Sequence, residues 1–304
     1  MAPDRAEVGA GVENVDLSEQ TVFVTGATDG IGRETALALG RLGARVLIHG
    51  RSEEKGRAVL SELSSYGADP ALFLADFASQ DAVRALADEV ADHVDRLDVL
   101  VNNAGGLFTD GELTEEGVEY TFAVNHLASF VLTADLYPLL RESEGRVVVV
   151  SSEAHRGARI DFDSLRSVRK YSGWRAYGRS KLANVLFARE LAERAEDDGV
   201  SANSLHPGVV PGSGFGRDLP GPVSAGMRAL SGPLAALPGP FADSVVDGAE
   251  TSVYLAASPA VEGVSGRYFK DCAERRPSRA ARDRRTQKRL WTVSEALTNA
   301  ERSG

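Results

Sequence analysis

The stretch TVFVTGATDGIG, residues 21–32, decides the fold. Its first four residues are β-branched or aromatic, which is typical of a short buried strand. Gly26, Gly30 and Gly32 follow, and residues from about 33 to 42 have the apolar spacing of an amphipathic helix. Such a turn lets the backbone approach a pyrophosphate, which the free N–H groups of the helix attract. The stretch predicts a dinucleotide site; the alternative is a tight turn without a ligand.

A second predicted strand, residues 45–49, ends where dinucleotide folds often carry an acidic residue that binds the adenosine ribose. Here Gly50 takes that place, and Arg51 and Ser52 follow it. No carboxylate repels a 2′-phosphate, and a guanidinium is available to pair with it. The pattern favours NADP(H) over NAD(H). The alternative for Arg51 is a solvated residue at the start of a helix.

Strands and helices alternate along the rest of the chain, which predicts a parallel sheet covered on both faces. We therefore expect an α/β fold: one Rossmann-type doubly wound domain over residues 19–299. Further strands are predicted at about residues 71–75, 97–101, 145–152, 200–205 and 267–269, and a long helix at about 114–140.

Two segments outside this pattern have their own composition. Residues 1–18 are polar and acidic, which predicts a flexible lead-in. Residues 209–242 are rich in glycine, proline and alanine, so we expect a substrate lid there, with a linker as the alternative.

The stretch YGRSK, residues 177–181, supplies the candidate chemistry. Tyr177 and Lys181 are four residues apart, so they share one face of a predicted helix. A phenol ordinarily has a pKa of about 10, and a nearby ammonium favours the phenolate and lowers that pKa. The pair could therefore donate and accept a proton near neutral pH. Alone the spacing is weak, because many such pairs are ordinary helix faces.

Polar residues near the predicted strand ends add to this site. Asp76 could meet an adenine amine, although a helix cap is nearly as good an interpretation. The stretch NNAG, residues 102–105, can tie neighbouring strands and leave room beside a cofactor. Ser152 ends a strand at the edge where ligands bind in such sheets. Asn125 falls inside the predicted long helix, where it either faces solvent or opens a turn and holds a water.

Composition excludes several classes of function. The 304 residues carry a net charge of −10, which argues against nucleic acid as a partner. A single cysteine excludes an intrachain disulfide and fits a cytoplasmic location, and the five histidines lack metal-ligand spacing. No signal peptide and no integral membrane segment are expected, because no apolar run approaches 18 residues.

Together these elements resemble the short-chain dehydrogenase/reductase family from about residue 18 to residue 297. The matching pieces are TGxxxGxG (25–32), NNAG (102–105), Asn125, Ser152, YxxxK (177–181) and Pro207-Gly208, in the family's order and spacing. The stretches SKLAN (180–184), SGRYFKDC (265–272) and RLW (289–291) are more particularly similar to the retinol dehydrogenase branch. That branch also resembles light-dependent protochlorophyllide reductases.

The resemblance implies roles for these residues. Tyr177 would be the acid/base, Lys181 would hold the nicotinamide ribose and lower the tyrosine pKa, Ser152 would bind the substrate oxygen, and Asn125 would support a proton relay. Ser151 and Tyr171 are less suitably spaced. The cofactor-binding residues would be Gly26, Thr28, Asp29, Gly30, Ile31, Gly32, Arg51, Ser52, Asp76, Phe77, Asn103, Ala104, Gly105, Tyr177, Lys181, Pro207, Gly208 and Val210, with no metal site.

The expected function is NADP(H)-dependent oxidoreduction of a carbonyl or secondary alcohol on a hydrophobic or bulky small molecule. Reduction of a conjugated C=C bond is an alternative within the same family. A non-catalytic NADP(H)-binding regulatory or scaffold protein is an alternative of another class. Many family members form dimers or tetramers through the long central helices, which would make this chain a homodimer or homotetramer; alternatively, the lid and the basic tail cover that surface.

Overall fold

The computed structural model describes residues 5–67, 69–208, 210 and 244–298. The predicted lid at 209–242 lies outside the described residues, except for Val210. The strands are β1 (Thr21–Val24), β2 (Arg45–Gly50), β3 (Ala71–Leu74), β4 (Val99–Asn102), β5 (Arg146–Val150), β6 (Ser201–His206), β7 (Tyr268–Lys270) and β8 (Ala273–Arg275).

All of these strands form one sheet in the order β3-β2-β1-β4-β5-β6-β7-β8. Neighbours are parallel from β3 to β7, and β8 pairs with β7 antiparallel. The predicted doubly wound parallel sheet is confirmed. The sequence did not predict β8, because its three residues, Ala-Glu-Arg, lack an apolar pattern.

Helices cover both faces of the sheet. In chain order within the described residues they are α1 (Ala6–Gly9), α2 (Gly30–Arg41), α3 (Glu53–Ser64), α4 (Gln80–His93), α5 (Tyr120–Phe122), α6 (Ala128–Asp135), α7 (Tyr137–Glu142), α8 (Gly173–Arg194), α9 (Val245–Ala257) and α10 (Arg284–Thr298). None of them is long and apolar enough to cross a membrane.

The two largest hydrophobic cores among the described residues follow from the alternation of side chains along each strand. On β1, Phe23 points to one face of the sheet, while Val22 and Val24 point to the other. The valines pack in a core with α2 and α9, whereas Phe23 packs in a core with α4, α6 and α8. Because both faces are buried, apolar side chains point to both sides of β1, β4 and β5.

The prediction of a flexible lead-in is wrong for residues 5–18. Ala6 is fully buried and Glu7 is 3% exposed, and α1 packs against α9 and α2. Both carboxylate oxygens of Glu7 accept hydrogen bonds from the Arg41 guanidinium, each 2.8 Å long. The polar composition concealed this contact because the buried charge is neutralised by a residue far along the chain.

The predicted helix at 114–140 is interrupted. A π-helical turn over Ala123–Leu127 separates α5 from α6, and α7 begins anew with Pro138 in its first turn. Glu119 caps α5 by accepting hydrogen bonds from the backbone N–H groups of Thr121 and Phe122. The helix therefore starts six residues later than the pattern indicated.

The contact between Glu7 and Arg41 gives a stability prediction. Glu7→Gln should lower the free energy of unfolding by about 1–3 kcal/mol, because it weakens a buried, charge-assisted hydrogen bond. Urea unfolding measures the change. The control Glu13→Gln replaces an exposed glutamate of the same segment and should leave the midpoint unchanged. Equal midpoints for both variants would contradict the packed N-terminal segment.

Candidate active site

The carboxyl ends of the central strands open onto a cavity of about 560 Å³. Its lining includes the following predicted residues: Gly26, Thr28, Asp29, Gly30, Ile31, Gly32, Arg51, Ser52, Asp76, Phe77, Asn103, Ala104, Gly105, Tyr177, Lys181 and Pro207. Asn125, Ser152, Gly208 and Val210 do not line this cavity.

The glycine-rich turn is shaped by contacts that leave no room for side chains. Gly26 has a φ of +64°, and a Cβ there would lie 2.9 Å from the Cα of Ala104. A Cβ on Gly32 would lie 2.3 Å from the side-chain nitrogen of Asn103 and 2.4 Å from the carbonyl oxygen of Gly26. Asp29 caps α2 by accepting a hydrogen bond from the N–H of Gly30. The backbone is thus exposed to the cavity as a cradle that a pyrophosphate fits.

Thr25 and Asn103 fasten this turn to the end of β4. The N–H groups of Asn103 and Ala104 each donate to the Thr25 hydroxyl at 3.0 Å. The Asn103 amide in turn donates to the carbonyl oxygen of Thr25 at 2.8 Å. The predicted tie between neighbouring strands is present, and Thr25 is a part of it that sequence reasoning missed.

His49 is a second residue that the sequence did not single out. It is 3% exposed and lines the cavity at the end of β2. The N–H of Gly26 donates to its Nδ1 at 3.2 Å, and Nε2 donates to the carbonyl oxygen of Ala75 at 3.1 Å. Its ring stacks on Phe77 at 4.2 Å. Burial lowers the pKa of His49 to about 4, so the neutral ring connects the glycine-rich turn with the loop after β3.

The end of the cavity beside β2 is basic. Arg51 is exposed, and the Ser52 hydroxyl caps α3 by accepting a hydrogen bond from the N–H of Lys55. Lys55 also lines the cavity, with its Nζ 2.8 Å from a carboxylate oxygen of Asp29. The sequence predicted Arg51 and Ser52 here but not Lys55. Lys55 lies about one helical turn further along the chain, so its side chain reaches the same cavity.

Tyr177 and Lys181 are buried on one face of α8, as predicted. Tyr177 is 5% exposed, Lys181 is 4% exposed, and the Lys181 Nζ lies 5.7 Å from the centre of the tyrosine ring. This ammonium donates to the carbonyl oxygen of Val150 at 3.1 Å, which fixes it at the end of β5. The helix face therefore presents two ionisable groups to the same end of the cavity.

The pKa values of Tyr177 and Lys181 are both shifted by burial, which the sequence pattern does not report. Burial raises the pKa of Tyr177 to about 12, and burial lowers the pKa of Lys181 to about 8. A hydrogen bond from Ser152 acts in the opposite direction on the tyrosine and lowers its pKa. Since the Ser152 hydroxyl oxygen accepts from the N–H of Ala154 at 3.2 Å, its proton is free to point at the phenol.

Asn125, in the middle of the π-helical turn, connects one loop with helix α8. It is fully buried, so the solvent-facing alternative is wrong and the opened turn is confirmed. Its side-chain oxygen accepts from the N–H of Gly106, and its nitrogen donates to the carbonyl oxygen of Gly106, both at 2.9 Å. The same nitrogen donates to the Ser180 hydroxyl on α8 at 3.0 Å. Asn125 thus fixes the loop after Gly105 relative to Lys181.

The other hydroxyls near the site have structural partners. The Ser151 hydroxyl lines the cavity but donates to the carbonyl oxygen of Lys181 at 2.7 Å. The Tyr171 hydroxyl donates to the carbonyl oxygen of Phe108 at 3.0 Å. By contrast, Trp174 lies in the first turn of α8, 61% exposed, with its ring perpendicular to Tyr177 at 6.5 Å. The sequence did not single out this tryptophan.

The fold, the glycine cradle and the Ser–Tyr–Lys arrangement define a nicotinamide-dependent dehydrogenase or reductase. The family model for short chain dehydrogenases matches residues 20–218. The chain belongs to this family.

The curated relatives include proteins named as retinol dehydrogenases and as a candidate ketoreductase. Retinol dehydrogenase 14 of Mus musculus is 43% identical over 292 residues, which cover 91% of this chain and 85% of the relative. The candidate daunorubicin C-13 ketoreductase DnrU of Streptomyces sp. (strain C5) is 40% identical over 290 residues, covering 94% of this chain and 95% of the relative.

Solved structures share the fold. A Mycobacterium paratuberculosis protein of uncharacterised function has a TM-score of 0.74 at 30% identity, covering 96% of this chain and 97% of its own. The RhlG/NADP active-site complex of Pseudomonas aeruginosa has a TM-score of 0.66 at 29% identity, covering 84% of this chain and 95% of its own.

The low pKa of His49 predicts a loss of stability in acid. Between pH 6.5 and 4 the unfolded chain binds a proton at this position that the folded chain does not, so stability falls as the pH falls. A shift of this size corresponds to a loss on the order of 3 kcal/mol. His126 is buried with a similarly lowered pKa and adds to the effect.

His49→Asn tests how much His49 contributes to this loss of stability in acid. The difference in unfolding free energy between pH 7 and pH 5, measured in urea, should be smaller in the variant than in the wild type. An unchanged difference would mean that His49 is not held neutral.

Proposed function

We propose that this protein is an NADP(H)-dependent oxidoreductase that passes a hydride between the nicotinamide and a carbonyl or secondary alcohol carbon. The observation that carries the proposal is the buried pair of Tyr177 and Lys181, with Ser152 hydrogen-bonded to the phenol, at one end of the glycine-lined cavity. Proton donors fixed beside a dinucleotide cleft are what carbonyl reduction requires.

The described residues fit a dinucleotide. A Cβ on Gly26 or Gly32 would fill the cradle. There is also no room for a Cβ on Gly105, since it would lie 2.8 Å from the side-chain oxygen of Asn125. When bound, the nicotinamide supplies the hydride donor or acceptor. Gly105 and Asn103 border the space beside Lys181, where the nicotinamide ribose would lie.

In this proposal each catalytic side chain acts on the substrate oxygen or its proton. Ser152 donates a hydrogen bond to that oxygen, and Tyr177 supplies the proton in reduction or takes it in oxidation. Lys181 binds the ribose hydroxyls and favours the phenolate through its positive charge. Asn125 is a positioning residue, because it contacts the loop at Gly106 and Ser180 rather than the cavity.

The preference for NADP(H) is proposed from the charges beside β2. Arg51 and Lys55 line this end of the cavity, and Gly50 stands where a carboxylate would repel a 2′-phosphate. Asp29 is the nearby carboxylate, but it forms an ion pair with Lys55 and a hydrogen bond with Gly30. A guanidinium and an ammonium can together hold a phosphate dianion.

A hydrophobic or bulky substrate is supported by the apolar residues next to the tyrosine. Leu107 and Phe108 line the cavity, and Trp174 presents a largely exposed ring beside Tyr177. One relative is named for retinol and another is a candidate ketoreductase named for daunorubicin. A cytoplasmic location and assembly into a homodimer or homotetramer stay predictions.

Tyr177→Phe tests the proton-transfer role. The variant should keep its NADPH affinity and lose turnover by about 10²–10⁴-fold, because the phenol proton is removed while the ring remains. Fluorescence titration measures the affinity, and NADPH oxidation with a panel of ketones measures the turnover. Tyr171→Phe, which removes a hydroxyl outside the cavity, is the matched control and should keep its turnover. Wild-type turnover of Tyr177→Phe would exclude the proposed role.

Arg51→Ala tests the cofactor preference. NADPH affinity should fall by about tenfold or more, which corresponds to about 1.4 kcal/mol, while NADH affinity stays unchanged. Arg57→Ala is the control, because Arg57 lies on α3, shortly after Arg51, but pairs with Glu53 in solvent. A variant that binds both cofactors as the wild type does would show that Arg51 is only a surface residue.

A further inference from the structure

A second cavity, of about 290 Å³, is lined by five arginines and lies away from the dinucleotide cleft. We call it the arginine pocket, and its arginines are Arg189, Arg267, Arg275, Arg276 and Arg282. Arg267 directly precedes β7 and Arg275 ends the antiparallel β8, opposite Tyr268. Both therefore lie at the edge of the sheet opposite to the carboxyl ends that form the cleft.

The pocket is built on fixed elements. Arg189 is on α8, two turns beyond Lys181, and its Nε donates to the side-chain oxygen of Gln287 at 3.3 Å. The carbonyl oxygen of Arg276 accepts a hydrogen bond from the Arg156 guanidinium at 3.2 Å. Tyr268, which is 1% exposed, forms part of the pocket wall.

The positive charge of the pocket is poorly compensated. Glu274 is the lining carboxylate, and it lies 3.5 Å from Arg267 with both side chains more than half exposed, an arrangement that contributes little. Glu193 lies nearby, but it accepts hydrogen bonds from Arg284 at 2.8 Å and from Gln287 at 3.1 Å. Within the described ranges, Arg275, Arg276 and Arg282 form no ion pair.

The arginines also repel one another. Burial lowers the pKa of Arg189, Glu193 raises it, and the charges of Arg267, Arg282 and Arg284 lower it further. The chain as a whole carries a net charge of −10, so this local excess is opposite in sign to the rest of the molecule. A bound anion would relieve the repulsion.

We infer that the arginine pocket binds a phosphate-bearing anion. Guanidinium groups pair with phosphate oxygens through two parallel hydrogen bonds, and several of them converge on one cavity here. The volume suits a small ligand or a head group. The phosphate could belong to a free phosphorylated molecule or to an anionic lipid. This inference does not depend on the proposed dehydrogenase activity.

Isothermal titration of the full chain with pyrophosphate tests the inference. The double variant Arg275→Ala, Arg282→Ala should bind at least tenfold more weakly than the double variant Arg285→Ala, Lys288→Ala. The second pair removes the same charge from exposed positions outside the pocket. Because pyrophosphate can also occupy the dinucleotide cleft, the difference between the two variants is the relevant quantity. Equal affinities would overturn the inference.

Sedimentation with vesicles distinguishes the two sources of phosphate. If vesicles of phosphatidylglycerol retain the wild type and the control but not the pocket variant, and phosphatidylcholine vesicles retain none of them, the ligand is a lipid head group. If pyrophosphate binds in the pocket and no vesicle retains the protein, the ligand is a free phosphate compound. If the pocket variant matches the control with both probes, the pocket is not an anion site.

Discussion

The site depends on one packing arrangement: the face of α8 that carries Tyr177 and Lys181 is pressed against the end of β5. The ammonium is held by the carbonyl oxygen of Val150 and the phenol by Ser152, both at that strand end. Burial shifts the pKa values of Tyr177 and Lys181, since it disfavours the charged form of each group. Burial thus favours the neutral phenol, while the Ser152 hydrogen bond and the positive charge of Lys181 act in the opposite direction.

The remaining elements support this arrangement from two sides. Asn125, in a π-helical turn, fixes the loop at Gly106 and reaches Ser180 on α8. Thr25 and Asn103 connect the glycine-rich turn to β4, and His49 connects it to the loop after β3. These are short-range polar contacts in buried positions, where each unsatisfied group would be costly. The cleft is therefore rigid at the residues that would contact a cofactor.

The sequence predicted those features that local patterns determine. The glycine spacing, the β-branched runs and the four-residue separation of Tyr177 and Lys181 each follow from strand and helix geometry, and the sheet and α8 agree with them. Glu7 shows why other features were not predicted from the sequence. Its buried contact with Arg41 is formed between residues far apart in the chain, and composition alone marked the segment as loose.

Lys55 and His49 escaped prediction for related reasons. Lys55 points at the cavity only because Ser52 caps the start of α3. His49 is an ordinary strand residue until Gly26 and Ala75 approach its ring. The rise in the tyrosine pKa on burial also escaped prediction, because a sequence pattern does not report burial. Charge is likewise concentrated by folding, with Arg51 and Lys55 at one site and the arginine pocket at another.

The central claim is hydride transfer to a carbonyl carbon at the end of this cleft. It is tested most directly by supplying NADPH deuterated at the transferable position together with an α,β-unsaturated aromatic ketone, and locating the deuterium by NMR. Transfer to the carbonyl carbon would place deuterium on the carbinol carbon of an allylic alcohol. Deuterium on the β-carbon of a saturated ketone, or no transfer to any ketone tested, would contradict it.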